Sequence, residues 1–126
     1  MNKSYELKDF TLDSFLHGTI EHFFYDNHKN IFQVVFSYLN LKSGGCLYEC
    51  TITITDWWNL EVFEYNKQHK IKQFYLNEIP KIDRVIDFSY NDDILTLTDF
   101  GMHNDTAIDY KFTKPKIKIT GEYDPD

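Results

Sequence analysis

Basic residues are scarce in this chain. Lysine and arginine together number 13 against 20 aspartates and glutamates, a net charge of -7. Nucleic-acid binders need a basic footprint that displaces phosphate counterions. Direct binding to DNA or RNA is therefore not expected, and a basic partner is the natural electrostatic complement. Cysteine is nearly absent, with only Cys46 and Cys50. On one strand their Cα atoms would lie ~13 Å apart at ~3.3 Å per residue. A disulfide tolerates about 7 Å. Two buried thiols on one face are expected instead, which suits a reducing, cytoplasmic compartment. The chain has no run of ~18 apolar residues to cross a membrane. Its opening, MNKSYELKDF, lacks the apolar stretch of a signal peptide, so neither feature is expected.

Catalytic and cofactor motifs are missing as well. Histidine occurs at positions 17, 22, 28, 69 and 103, never as HExxH or HxH and never at metal-ligand spacing from a cysteine. Surface and turn positions are expected for all five. Cys46 has no adjacent base to stabilise a thiolate, which argues against a nucleophile. Glycine clusters only at Gly44-Gly45, with neither GxGxxG nor a Walker pattern, so a nucleotide site finds no support. The expectation is a protein without cofactor, metal or catalytic residues.

What is present is aromatic and β-branched. Phe (11) and Tyr (9) dominate an aromatic share of 17%, a strand-type composition, and 126 residues suit a single domain over 1–126. The stretch CLYECTITIT alternates Cys46, Tyr48, Cys50, Ile52 and Ile54 with Leu47, Glu49, Thr51, Thr53 and Thr55. That period of two predicts a long, half-buried central strand entered by the Gly44-Gly45 turn. Further strands are expected over 15–26 (kinked near Gly18), 31–39, 60–65, 71–76, 84–90, 94–100, 107–113 and 116–120. Tyr5, Leu7 and Phe10 are expected to anchor an ordered arm or short strand. Turns are expected at 26–30, 66–70, 91–93 and 101–105. Pro80 argues against a central strand over 77–83, where a single helical turn is allowed. Residues 122–126 read as a polar end that frays. The pattern predicts a mainly β fold with little helix, an antiparallel meander arranged as a sandwich or a partly open barrel.

Two features invite a partner. Seven aspartates (83, 87, 92, 93, 99, 105 and 109) face one base, Arg84, over 83–109. Asp87 and Asp109 are expected to point outward from strands, and Asp92, Asp93 and Asp105 to sit in turns. Gathered by adjacent hairpins, they would form one acidic docking patch; the alternative is that aspartate is common in turns and keeps proteins soluble. Trp57 and Trp58 are consecutive and must point to different sides. One is expected in the core, and the other is free to anchor a partner or to rim the core.

The segment Phe15-Leu16-His17-Gly18-Thr19-Ile20, a hydrophobic hairpin, and Tyr48 to Thr55 followed by Asp56-Trp57 resemble the layout of small immunity proteins of bacterial polymorphic-toxin and contact-dependent growth inhibition systems. The later half is similar in the same way: Glu78-Ile79-Pro80-Lys81-Ile82, Val85-Ile86-Asp87-Phe88, then Ile94-Leu95-Thr96-Leu97. The resemblance is one of pattern over most of the chain and carries no residue role. It implies a cytoplasmic, non-enzymatic inhibitor that binds one cognate toxin, and the acidic charge suggests a basic toxin such as a nuclease. Two other classes stay open. A small-ligand-binding β-barrel would line a cavity with inward Phe and Tyr. An enzyme would need paired carboxylates, such as Asp92 and Asp93 with a histidine, in one cleft.

Overall fold

In the computed structural model, residues 5–10, 15, 18–66, 69–82, 84–99 and 106–125 are described, with the side chains at 85 and 86 excepted. Nine strands run through them: β1 (Ile20–Asp26), β2 (Ile31–Asn40), β3 (Cys46–Thr55), β4 (Asn59–Asn66), β5 (His69–Gln73), β6 (Val85–Asn91), β7 (Ile94–Asp99), β8 (Thr106–Thr113) and β9 (Lys116–Asp124). They form two antiparallel sheets, ordered β1-β2-β3-β9 and β5-β4-β8-β7-β6, and do not close into a barrel. The expected mainly β meander is thus realised as two separate sheets.

The period of two explains which side chains enter the space between the sheets. β2 contributes Phe32, Val34 and Phe36, and β3 contributes Cys50, Ile52 and Ile54. From the second sheet come Leu60 and Val62, Leu95 and Leu97, and Tyr110 and Phe112. The rings interlock: Phe32 meets Phe23, Tyr25, Tyr110 and Phe112 at centroid distances of 5.1, 6.1, 5.6 and 5.0 Å. Tilted and edge-on pairs of this kind add to the transfer of apolar area out of water.

The chain changes sheet at two corners. Asp56, at φ +54, turns it from β3 into β4. Lys114, at φ +49, turns it from β8 back to β9. Residues 74–84 connect β5 at one edge of the second sheet to β6 at the other. On the way Ile82 is buried, and the Tyr110 hydroxyl donates to the Pro80 carbonyl at 2.9 Å. Pro80 thus lies in a connection, as its missing N–H requires, and residues 76–78 form a turn rather than a helical one. Asn91 pairs with Ile94 around Asp92 (φ +54) and Asp93 (φ +64), the backbone of a type I′ hairpin.

Residues 5–10 form an ordered arm. Tyr5 bridges Ile119, Phe10 bridges Leu41 and is buried, and Leu7–Asp9 makes one 3-10 turn between them. Phe15 is helical rather than extended, so β1 begins later than expected, and its irregularity falls between Ile20 and His22. β5 runs over His69–Gln73 instead of 71–76, and it is exposed throughout. Tyr90, which the period of two places on the same side as the buried Phe88, is exposed. The polar end does not fray through 124, because β9 continues to Asp124 and pairs with Cys46–Tyr48.

The largest departure lies in β3 itself. Tyr48 pairs with Glu122 and Thr51 with Thr120, so Glu49 and Cys50 face Gly121 alone. This is a β-bulge with Glu49 at φ +48, and the extra residue reverses the phase of everything before it. Leu47 is therefore inside and Tyr48 outside, the opposite of the expected alternation. The two cysteines are both free and buried but lie on different faces. Cys50 belongs to the core, whereas Cys46, two residues from Tyr48, shares the outer face with it. Gly121 fits closely here: a Cβ would lie 3.0 Å from the Leu47 Cβ and 3.1 Å from the Tyr48 carbonyl oxygen, so a larger residue would make these neighbours give way.

Candidate partner-binding surface

Trp57 and Trp58 part as consecutive side chains must. Trp57 turns inward, stacked on Tyr25 at 6.5 Å and edge-on to Phe112 at 5.1 Å. Trp58 is 74% exposed. Its backbone is nevertheless fixed, since its N–H donates to the Thr113 carbonyl at 2.8 Å. The Lys114 ammonium sits 4.0 Å from the centre of the Trp58 ring. A cation over an indole face holds the ring in place while leaving its other side in water.

The Asp92-Asp93 hairpin meets the same corner. The Lys114 N–H donates to the Asp93 carbonyl at 2.7 Å, so Trp58 and Asp93 both dock on the Thr113–Lys114 step. Asp92 and Asp93 are exposed. Asp56, two residues before Trp58, is exposed and pairs with Lys116 at 3.5 Å. One corner therefore presents an indole ring flanked by three carboxylates and two lysines.

Asp87 and Asp109 lie elsewhere. They share one row of the second sheet's outer face, Asp87–Thr98–Asp109–Phe63. Asp109 accepts a 2.7 Å hydrogen bond from the Thr98 hydroxyl. Asp87 stands five residues from Asp92 along β6, roughly 16 Å at ~3.3 Å per residue. The acidic residues thus divide into a corner group and a sheet-face group. Asp105, like Asp83, lies outside the described residues.

Asp99 does not belong to any surface patch. It is 1% exposed, on the inward parity of Leu95 and Leu97, and accepts from the Arg84 N–H at 2.8 Å. Burial first, and then the Asp99 charge, hold the Tyr110 phenol in its neutral form. Among the described residues no group of three or more His, Cys, Asp and Glu is placed to hold a metal, and no helix is long and apolar enough to cross a membrane.

One aromatic surface escaped the sequence reading. Phe24 and Tyr75, 51% and 77% exposed, flank a groove of about 630 Å³ between Asp26–His28 and Leu76–Asn77. The Tyr25 hydroxyl ties its two sides together through the Leu76 carbonyl at 2.7 Å. Burial, reinforced by Asp26, raises the Tyr25 pKa. The run Phe23-Phe24-Tyr25 carried the signal, because on any strand the middle ring must oppose its neighbours. Nothing local marks Tyr75.

No protein-family model, no curated protein and no solved structure matches this chain. The site's chemistry therefore stands on its geometry. A ring held by a cation, with carboxylates beside it on rigid corners, is suited to recognition of a protein surface.

Proposed function

We propose that the chain is an immunity protein, a cytoplasmic, non-enzymatic inhibitor that binds one cognate bacterial toxin domain and covers its active site. The observation that carries this reading is the Trp58 corner: a large exposed ring on fixed backbone, with Asp56, Asp92 and Asp93 around it. Tryptophan is enriched among interface residues whose truncation costs most, and carboxylates nearby steer a basic partner. The second acidic group, Asp87 and Asp109, extends the negative field over the neighbouring sheet face. The overall charge of -7 supports a basic partner, such as a nuclease whose own site is built for phosphate.

The ligand-binding alternative has less support. The inward ring of Phe32 packs on those of Tyr110 and Phe112 at 5.6 and 5.0 Å, as in a filled core.

The test starts with capture of the partner from the native host by the tagged chain, followed by expression of that partner alone and with this chain. The expected result is a toxic partner that becomes harmless on co-expression. Trp58→Ala should weaken its binding by about 2 kcal/mol or more, roughly thirtyfold, at unchanged fold. A partner equally toxic with and without this chain would sink the reading.

A further inference from the structure

The outer face of the first sheet differs in kind from the Trp58 corner. Its two middle strands present Ile31, Gln33 and Val35 from β2 beside Thr55, Thr53 and Thr51 from β3, all half-buried and none ionised. Over these rows, carboxylates and lysines occur only on the flanking strands, with opposite sign. β1 carries Asp26, and β9 carries Lys116 and Lys118. Pairing places them in register: Asp26–Ile31–Thr55–Lys116 is one row, and Phe24–Gln33–Thr53–Lys118 is the next. Phe24 is a half-exposed phenyl ring on an edge strand.

We propose that this face binds a second copy of the chain, sheet against sheet, about a two-fold axis parallel to the strands. Such an axis keeps each row at its own level and exchanges its ends. β1 of one copy then lies over β9 of the other. Asp26 meets the other copy's Lys116, and the Phe24 ring meets the other copy's Lys118, a carboxylate–ammonium pair and a cation on an aromatic face. Each contact occurs twice. An axis perpendicular to the strands would set β9 on β9 and lysine on lysine. The outer face of the second sheet has no such solution, because an axis along its middle strand β8 would stack Asp109 on Asp109 and Lys111 on Lys111.

The size is sufficient for a weak dimer. Four strands ~4.8 Å apart and three rows ~6.6 Å apart give a footprint on the order of 400 Å² per copy, about 800 Å² in total, the size of a weak, transient contact. The uncharged middle rows can be desolvated at small cost, and aligned sheets pack ~10 Å apart. This surface meets the Trp58 corner at Lys116, which pairs with Asp56 of its own chain at 3.5 Å.

Sedimentation equilibrium of the purified full chain, from about 1 to about 500 μM, tests the proposal. A monomer–dimer equilibrium with Kd of roughly 10–100 μM is expected. Thr53→Arg, in the middle of the face, should raise Kd at least about tenfold, whereas Thr96→Arg on the other sheet's outer face should leave it unchanged. The axis is tested by mixing Asp26→Lys with Lys116→Asp: the mixed dimer should be tighter than either variant's own dimer. Asp26 also accepts the His28 and Lys29 N–H groups at 2.9 and 3.1 Å. If its substitution prevents folding, Lys116→Asp alone should weaken the dimer severalfold and Lys116→Arg should not. A monomer across the whole range, indifference to Thr53→Arg, or no preference in the mixture would overturn the proposal. So would a monomeric chain whose toxin capture is abolished by Thr53→Arg, since the face would then belong to another protein.

Discussion

The two outer faces are built by the same rule and end with different chemistry. Both consist of the residues left over when alternate side chains enter the shared core. On the first sheet the middle strands leave Thr, Gln, Val and Ile outside. On the second, the middle strands leave Glu61, Asp109 and Lys111, with Asp87 on the flanking β6. The first sheet puts its lysines at one edge, while the second carries charge at its centre. Even the buried outer group differs. Phe63 of β4 lies on the outward parity yet is covered by Lys70, whose ammonium is 3.6 Å from the ring centre. A long side chain laid over an aromatic substitutes for a third layer. The lesson is that a half-buried strand specifies its inner face strongly and leaves its outer face free for association or for solubility.

The comparison depends on a single inner layer serving both sheets. Phe32 touches rings from each, so Phe32→Ala should lower unfolding free energy by about 3–5 kcal/mol in a denaturant titration. Loss of one sheet's signal ahead of the other would mean two separate layers and would break the comparison.

The thiols separate the inner and outer sides of one strand. Burial pushes the Cys50 thiol up from an ordinary value near 9 to about 12. A raised value means that the folded state keeps the neutral thiol while the unfolded chain ionises. The stability is therefore fully present below about pH 9 and falls as pH rises toward 12. At about pH 10.5 the wild type should have lost about 2 kcal/mol from this group. Cys50→Ala should be less stable at neutral pH and should show a shallower decline with alkali. Equal slopes would place Cys50 outside the core. Thiol reagents should label Cys46, on the outer face, before Cys50.

The smallest effects test the outer faces directly. Asp109 accepts a charge-assisted bond from Thr98, and Asp109→Ala should cost about 1 kcal/mol. On the other face, the Thr53 hydroxyl accepts from the Gln33 amide at 3.0 Å, and Thr53→Ala should cost less than about 0.5 kcal/mol. Paired thermal melts read both, and equal losses would erase the distinction between the faces.

Much of this was legible locally. The alternation in Ile31–Leu39 and Ala107–Thr113, the turn chemistry of Asn91-Asp92-Asp93 and the opposition of Trp57 to Trp58 depend on bond geometry within a few residues. The bulge at Glu49–Cys50 was not, since it exists only against Gly121, some 70 residues away in a strand that the polar composition of 122–124 concealed. The division of the described acidic residues has the same kind of cause. Asp99 takes the inward parity of its own strand, while Asp92-Asp93 and Asp87 belong to one hairpin but lie at different distances from its tip.

By itself, the sequence determined that this chain is strand-built, which residues alternate within each unbroken segment, and where most turns fall, because side-chain parity and turn dihedrals are short-range properties. The tertiary structure alone decided which strands are neighbours, where parity reverses, and which of two exposed rings stands beside which carboxylates. Those outcomes depend on pairing between distant segments, which no local pattern encodes.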